Sequence, residues 1–235
     1  MRALDTLALA LLLGASLQAS AHVTDEGEIG DLPCAGAVAW IKAHPEESAK
    51  AVAARDAART LTDPALRAEL DTRFKQDQDA RKAWLASRMS PRLGRVVTRI
   101  DQDDVKWMYR QVTTKGFPTA AQVGERGVGE AWLLAQHMDT QPGFQAELLP
   151  ALEQRHAAGE LSGSDLARYT DRVLKAQGKP QRYGTQFPPK DMVKTYFGLD
   201  SAEEVRRVDE NRRALGVMPL ADYACMMSYL RRDQL

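Results

Sequence analysis

The chain has 235 residues, which is enough for one large domain or for one domain with a small appendage. Its content of 44% hydrophobic and 27% charged residues lies in the globular range, so the chain can bury a core. Lysine plus arginine equals aspartate plus glutamate, at 32 each, and this balance argues against attraction to nucleic acid or to an anionic membrane through net charge. We therefore predict no nucleic-acid partner.

The N-terminus has the pattern of a secretory signal peptide. Arg2 precedes an apolar run over residues 7–17, and residues 19–21 read Ala-Ser-Ala, a small-x-small cleavage pattern. The run is too short to span a bilayer, and no later run approaches the required length. We predict cleavage after Ala21, no stable membrane insertion, and a periplasmic or secreted location.

Cys34 and Cys225 are the two cysteines of the chain. In an oxidising compartment such a pair favours a disulfide, here between the first and the last helix of the mature chain. The alternative is two buried free thiols. Neither cysteine has the CxxC-type partner that a structural metal site requires.

The segment before the main domain is predicted as an N-terminal helical extension over residues 22–60. Apolar spacing predicts a helix over residues 34–43. Pro45 then begins an alanine-rich helix that carries Glu46 and Glu47 in its first turn, where the helix dipole favours acids.

Residues 61–235 are predicted as the main domain, and its first helix carries a polar interruption. Asp63 and Pro64 are the expected N-cap and first residue. The apolar stripe of this helix is interrupted by polar side chains at Asp77, Gln78 and Arg81. The alternative is an exposed ion pair between Asp77 and Arg81. The position of these residues on the apolar stripe favours an acid and a base that face inward.

Pro91 and Gly94 predict a connector after this helix. Three aspartates then crowd the predicted start of the next helix, where cap and dipole effects explain them, since their spacing does not match a calcium loop. They are Asp101, Asp103 and Asp104.

A central helix is predicted over residues 124–138. It is apolar on nearly every side and ends in the cluster Gln-His-x-Asp at residues 136–139. A helix of this kind is normally buried among other helices. Its polar end must find partners inside the protein or open into a cleft.

The remaining segments complete an all-α prediction. Asp139 and Pro142 are the expected cap and first turn of the next helix, which Pro150 must kink or split. Ser164 is the expected cap of another helix, and two final helices follow over residues 201–215 and 219–231. We predict a multi-helical globular domain with at most one short strand or extended loop, near residues 181–187.

Six short motifs occur in the order Asp77-Gln78-x-x-Arg81, Gly116-Phe117-Pro118, Trp132-Leu133-Leu134-x-Gln136-His137-x-Asp139, Thr170-Asp171-Arg172, Gln181-x-Tyr183-Gly184-Thr185-Gln186 and Val208-Asp209-x-x-x-Arg213. In this order they resemble a bacterial family of uncharacterised proteins, the domain of unknown function 6624, over about residues 61–223. The resemblance implies a shared polar constellation and no named activity. The extension over residues 22–60 lies outside it.

The motifs place one imidazole near several acids and bases. His137 lies near a helix C-terminus, where the dipole favours the imidazolium, and Asp139 or Asp171 can orient it for acid–base chemistry. Arg81 and Arg172 can hold an anionic group. The other predicted ligand-binding residues are polar side chains, namely Asp77, Gln78, Gln136, Gln145, Gln181, Tyr183, Thr185 and Gln186.

Metal and cofactor chemistry is not expected. His137 and Asp139 supply at most two ligands, whereas a catalytic zinc usually takes three from the protein. The spacing of Gly124, Gly127 and Gly129 does not match a phosphate-binding loop. We therefore predict neither a metal site nor a cofactor.

Two functions fit these patterns. The first is an exported enzyme or small-molecule binder that uses His137 and an aspartate on a polar or anionic ligand. The second is a periplasmic protein-binding or inhibitory module, whose partner is unknown and whose polar cluster is structural, since Arg–Asp and His–Asp pairs often join helices without a ligand.

Overall fold

The computed structural model describes residues 32–186 and 201–230, and these two ranges form an all-α fold without strands, as predicted. The helices are α1 (Ala35–Ala43), α2 (Ala49–Ala57), α3 (Pro64–Ala86), α4 (Pro91–Lys115), α5 (Ala120–Gln136), α6 (Pro142–Ala157), α7 (Gly163–Ala176), α8 (Ala202–Ala214) and α9 (Leu220–Leu230). The predicted signal peptide and the last residue of the predicted extended segment, Phe187, lie outside the described ranges. Within those ranges, no helix combines the length and the hydropathy needed to cross a bilayer.

Helix α5 is the centre of the main core. It packs against α2, α3, α4, α6 and α7, and Trp132, Leu133 and Leu134 are buried. The helix begins earlier than predicted because Thr119 and Gln122 form a capping box. Gly124, the predicted start, is instead a break inside the helix, with φ +76°.

A second hydrophobic core joins the two ends of the described chain. It is formed by α1, α8 and α9 around Val208, Leu220 and Met227. The predicted disulfide between Cys34 and Cys225 is confirmed, and it closes a sequence separation of 191 residues within this second core.

The connector between α3 and α4 lies at residues 87–90, and the prediction that it includes Pro91 and Gly94 is wrong. Pro91 is the first residue of α4, where its missing N–H is tolerated, and Gly94 lies inside the helix. A Cβ at Gly94 would lie 3.3 Å from the Trp84 indole nitrogen, so glycine permits close packing of α4 on α3. Asp101 and its neighbouring aspartates therefore lie in the middle of α4 and do not cap it.

The N-terminal extension also begins differently from the prediction. Pro45 starts a short 3-10 turn, Pro45–Glu47, and the α-helix begins only after Ser48, whose hydroxyl accepts a hydrogen bond from Ala51 N at 3.1 Å. The side-chain cap outweighs the proline as a start signal here.

The N-termini of α6 and α7 also differ from the predictions. Ser162, and not Ser164, caps α7, since its hydroxyl accepts from Asp165 N at 3.0 Å. Asp139 does not cap α6, whose N-cap is Gln141, and α6 continues through Pro150 without being split.

Candidate functional site

Four buried polar side chains meet where α3, α4 and the end of α5 come together. Asp77 and Arg81 lie one helical turn apart on the core face of α3, Asp101 lies on α4, and His137 is the C-cap of α5. Their exposed fractions are 1%, 0%, 7% and 3%. The polar interruption predicted in the stripe of α3 therefore faces inward. We call these four residues the buried cluster.

Arg81 connects the members of the buried cluster. Its Nε donates to Asp77 Oδ1 at 2.9 Å, and its Nη2 donates to Asp101 Oδ1. His137 Nδ1 lies 3.0 Å from Arg81 Nε and 3.0 Å from Asp77 Oδ1. Gln78 donates a hydrogen bond to the other carboxylate oxygen of Asp77, Oδ2, at 2.7 Å.

The protonation state of His137 decides which of these contacts is a hydrogen bond. With a proton on Nδ1 the imidazole donates to Asp77, and without it Nδ1 accepts from Arg81 Nε. In either state, His137 Nε2 and Arg81 Nη1 are buried and have no hydrogen-bond partner among the described residues. An unsatisfied buried polar atom costs about 1–3 kcal/mol, and two occur on adjacent side chains.

The carboxylates of the site differ in proton affinity. Burial would raise the pKa of Asp77, but its interactions with His137, which include a hydrogen bond, and the positive charge of Arg81 lower it to about 2. Burial raises the pKa of Asp101 to about 7 against the attraction of Arg81. Burial likewise raises the pKa of Asp104 to about 6, although Arg73 donates to Asp104 Oδ1 at 2.9 Å.

His137 differs from the sequence-based expectation. Burial lowers its pKa, the negative charge of Asp77 raises it, and the positive charge of Arg81 lowers it again, with a net decrease. The neutral imidazole is therefore favoured, because desolvation of the charged form outweighs the helix dipole.

Sequence reasoning missed Asp101 and Asp104, although a signal was present. Val97, Asp101, Asp104 and Met108 recur at helical spacing and are all buried. They lie on one face of α4. A helix start placed at Pro91 would have predicted both aspartates as inward-facing.

Three members of the buried cluster have the chemistry of metal ligands. Asp77, Asp101 and His137 each offer one ligand atom, all within 4.8 Å of one another, whereas the residues predicted as possible ligands were His137 and Asp139. Arg81, however, hydrogen-bonds to both carboxylates. A divalent cation would have to displace the guanidinium, so the arrangement fits Arg81 as the cation of this site better than it fits a metal ion.

Asp139 and Arg172 form an ion pair beside the buried cluster. Arg172 donates to both carboxylate oxygens of Asp139, from Nε at 2.6 Å and from Nη2 at 2.5 Å. Gln145 donates to the carbonyls of Ala135 and Gln136 and so holds the end of α5 in place. Asp77, and neither Asp139 nor Asp171, is the carboxylate that contacts His137.

The other predicted site residues belong to a separate network. Asp171 accepts from Arg182 N, Tyr183 N and Thr185 N, and also from the Thr185 hydroxyl. Gln181 and Gln186 hydrogen-bond to each other across the loop. Asp171 therefore organises the loop over residues 181–186, which is not a strand.

Arg212 attaches this loop to α8 and was also missed. Its Nη1 donates to Tyr183 O at 2.7 Å, and its guanidinium lies over the Tyr223 ring. The family motif pointed to the neighbouring Arg213, which is exposed. Arg212 lies in helical register with the buried Val208, and that spacing predicts an inward position.

Within the described residues, the fold and these contacts define a helical protein with two hydrophobic cores and a buried aspartate–arginine–histidine cluster. The chain belongs to the Family of unknown function (DUF6624), whose model matches residues 64–230. This match confirms the resemblance carried by the six motifs, and it leaves α1 and α2 outside the matched region. No curated protein and no solved structure matches the chain.

Proposed function

We propose that the buried cluster is an acid–base site that receives one compact polar group of a small molecule. The observation that carries this proposal is the pair of unsatisfied buried nitrogens, His137 Nε2 and Arg81 Nη1. A guanidinium N–H and an imidazole N–H both donate, so they suit an acceptor oxygen such as that of a carbonyl or carboxylate.

Asp101 is the proton donor in this proposal. It is the least buried member of the cluster, and its raised pKa of about 7 leaves a proton on the carboxyl near neutral pH. Transfer of that proton to the bound oxygen would leave an Asp101 carboxylate that Arg81 already contacts. Solvent then returns the proton to Asp101.

The test is thermal unfolding of the mature protein against a library of polar metabolites and metal ions. A ligand of this site is expected to raise the midpoint of the wild type, but not of His137→Ala or Asp101→Asn. Asp103→Asn is the matched control, because Asp103 lies exposed on the same helix and pairs with the exposed Lys106 at 3.5 Å.

Three results would contradict the proposal or part of it. Ligands that stabilise wild type and both cluster variants equally bind elsewhere. If no polar ligand stabilises the wild type and both variants unfold several degrees lower, the cluster has a structural role. Stabilisation by a divalent cation alone would contradict the assignment of Arg81 as the cation of the site.

A protein-binding module is the second candidate. The observation that favours it is that Met89, Val96 and Tyr109, large apolar side chains that are exposed in the described part of the chain, lie on α4 or on the turn before it. A complex recovered from periplasmic extract should then be lost in Val96→Asp and retained in Asp101→Asn. Retention of the complex in both variants would contradict the assignment of α4 as the binding face.

Export is part of both candidate functions. The N-terminal pattern of residues 1–21 and the disulfide support it, since disulfides persist in oxidising compartments. Sequencing the N-terminus of the protein from a periplasmic fraction should give His22 as the first residue. Recovery of uncleaved protein from the cytoplasm alone would contradict export.

A further inference from the structure

A cleft separate from the buried cluster lies between the N-terminal extension and the main domain. Its volume is about 450 Å³, within the range of small-molecule sites. One wall is the Pro45–Glu47 turn with Val52 of α2, and the other is α5 with the loop between α6 and α7. Its apolar surface includes Phe74, Trp132 and Leu161.

The extension is fixed against α5 by Asp56. The Asp56 carboxylate accepts hydrogen bonds from Glu125 N at 2.7 Å and from Arg126 N at 2.9 Å, and so caps α5 where it restarts after Gly124. Arg55 and Arg59 each pair with Glu125 at 2.7 Å. The wall that α2 contributes to the cleft is thus held by directed contacts, although it lies outside the family match.

Six carboxylates and two arginines line the cleft, and four of the carboxylates are paired with arginines, which leaves Glu46 and Glu47 without an ion-pair partner among the described residues. The acids that line it are Glu46, Glu47, Glu125, Glu130, Glu160 and Asp165, and the bases are Arg55 and Arg126. Both arginines are already paired, with Glu125 and Glu130 respectively. The two arginines that line the cleft are therefore not available to form ion pairs with Glu46 or Glu47.

Glu47 is the acid best placed to recognise a ligand. It has no ion-pair partner among the described residues, and it is partly buried. Burial raises its pKa, His44 and His156 lower it, and Glu46 and Asp165 raise it, with a net increase. A cation bound beside Glu47 would offset this unfavourable environment of the carboxylate.

We propose that the cleft binds a small organic cation, an amine carried on an apolar or aromatic body. The ammonium pairs with Glu47, and the body packs on Phe74, Trp132 and Leu161. The size of the cleft, its apolar walls and the Glu46 and Glu47 carboxylates together select this class over anions and over neutral polar molecules. The buried cluster takes no part in this binding.

Isothermal titration calorimetry of the full mature protein tests the proposal with three matched probes. They are phenylbutylamine, its N-acetyl derivative, and phenylvalerate, which share a phenylalkyl body and differ in charge. The amine is expected to bind at least about tenfold more tightly than the other two, equivalent to about 1.4 kcal/mol. Glu47→Gln should remove this preference.

Gly129→Leu tests the location without a destabilising change. Gly129 lies on α5 in the cleft, and a Cβ there would meet no atom within 4 Å. A leucine would project into the cleft and occupy part of it, and it should also favour the helix. Gly143→Leu is the control, since Gly143 on α6 has equally open space and does not line the cleft.

The expected result is amine binding to wild type and Gly143→Leu, with at least a tenfold loss in Gly129→Leu. Equal affinity for all three probes, no binding of the amine, or full affinity in Gly129→Leu would each overturn the proposal. His137→Ala and Asp101→Asn should bind the amine normally, so failure of the acid–base proposal leaves this result unchanged.

Discussion

The balance of charge around Arg81 determines how the buried cluster responds to pH. Asp77 and Asp101 both contact this one guanidinium, and the favoured neutral form of His137 supplies no second charge. An isolated buried carboxylate is costly. The raised pKa of Asp101 reduces this cost, because this carboxyl takes up a proton near neutral pH and loses its charge.

Asp101→Asn should therefore change the pH dependence of stability. Because the pKa of Asp101 is about 7 in the folded protein and 3.8 normally, its contribution to the free energy of unfolding is fully present below pH 3.8 and is lost as pH rises through 7. Asparagine does not titrate. The stability of wild type minus that of the variant should thus fall between pH 4 and 7, by at most about 1.4 kcal/mol per pH unit.

Urea denaturation at several pH values measures this difference, with Asp103→Asn as the exposed control. Comparing wild type with the variant also cancels the opposing effect of His137, whose lowered pKa removes stability as pH falls through the range below 6.5. A difference that stays constant from pH 4 to 7 would contradict the raised pKa of Asp101.

At the residue scale, the sequence identified side chains that interrupt an apolar stripe. Asp77 and Arg81 were predicted to face inward on that ground, and the same reasoning extends to Asp101 on α4. Partners were harder to predict. Asp171 was expected near His137, but it binds the backbone of a loop that follows it in the chain. Several carboxylates compete for each donor, and only the tertiary fold decides between them.

Helix α5 shows how an element can depend on a contact outside its own sequence. Gly124 interrupts the helix, and the two N–H groups that follow are satisfied by the Asp56 carboxylate of α2. A Cβ at Gly124 would lie 2.7 Å from Asp56 Oδ2, so glycine is required both by the backbone and by this approach.

Asp56→Ala should weaken this element. Loss of the cap is expected to lower the free energy of unfolding by about 1–2 kcal/mol and to increase amide exchange at Glu125 and Arg126. Asp79→Ala is the control, because the exposed ion pair of Asp79 with Lys75 should contribute at most about 1 kcal/mol. Equal losses in the two variants, with unchanged exchange at Glu125, would contradict the capping role.

At the element scale, start signals predicted some helices and misplaced others. Asp63 and Pro64 gave the start of α3 correctly, because the Asp63 side chain accepts from Leu66 N. Gly94 and Gly124 were interpreted as helix boundaries, but Gly94 lies inside α4 close to Trp84, and Gly124 is a break within α5. The capping-box signature at Thr119 was readable in the sequence and outweighed Gly124 as the true start.

On the scale of the whole molecule, polar contacts join the two hydrophobic cores of the described residues, and a disulfide lies within the second core. The loop that Asp171 organises reaches α8 through Arg212, which also donates to Met218 O. Pairing of Cys34 with Cys225 could be predicted from the compartment and the cysteine count. The division into two cores could not, since an apolar stripe shows which face is buried and not which helix covers it.

Removal of the disulfide should therefore destabilise one core more than the other. Cross-linking residues 191 apart restricts the unfolded chain, which predicts a loss of at most about 5 kcal/mol in the double variant Cys34→Ala and Cys225→Ala. Hydrogen exchange should increase first in α1 and α9, where the bond lies, while α5 keeps its protection through its contacts in the main core. In the wild type, a reductant should reproduce this pattern because Cys225 is exposed. A uniform loss of protection across both cores would instead mean that they unfold as one cooperative unit, coupled through the contacts of Asp171 and Arg212.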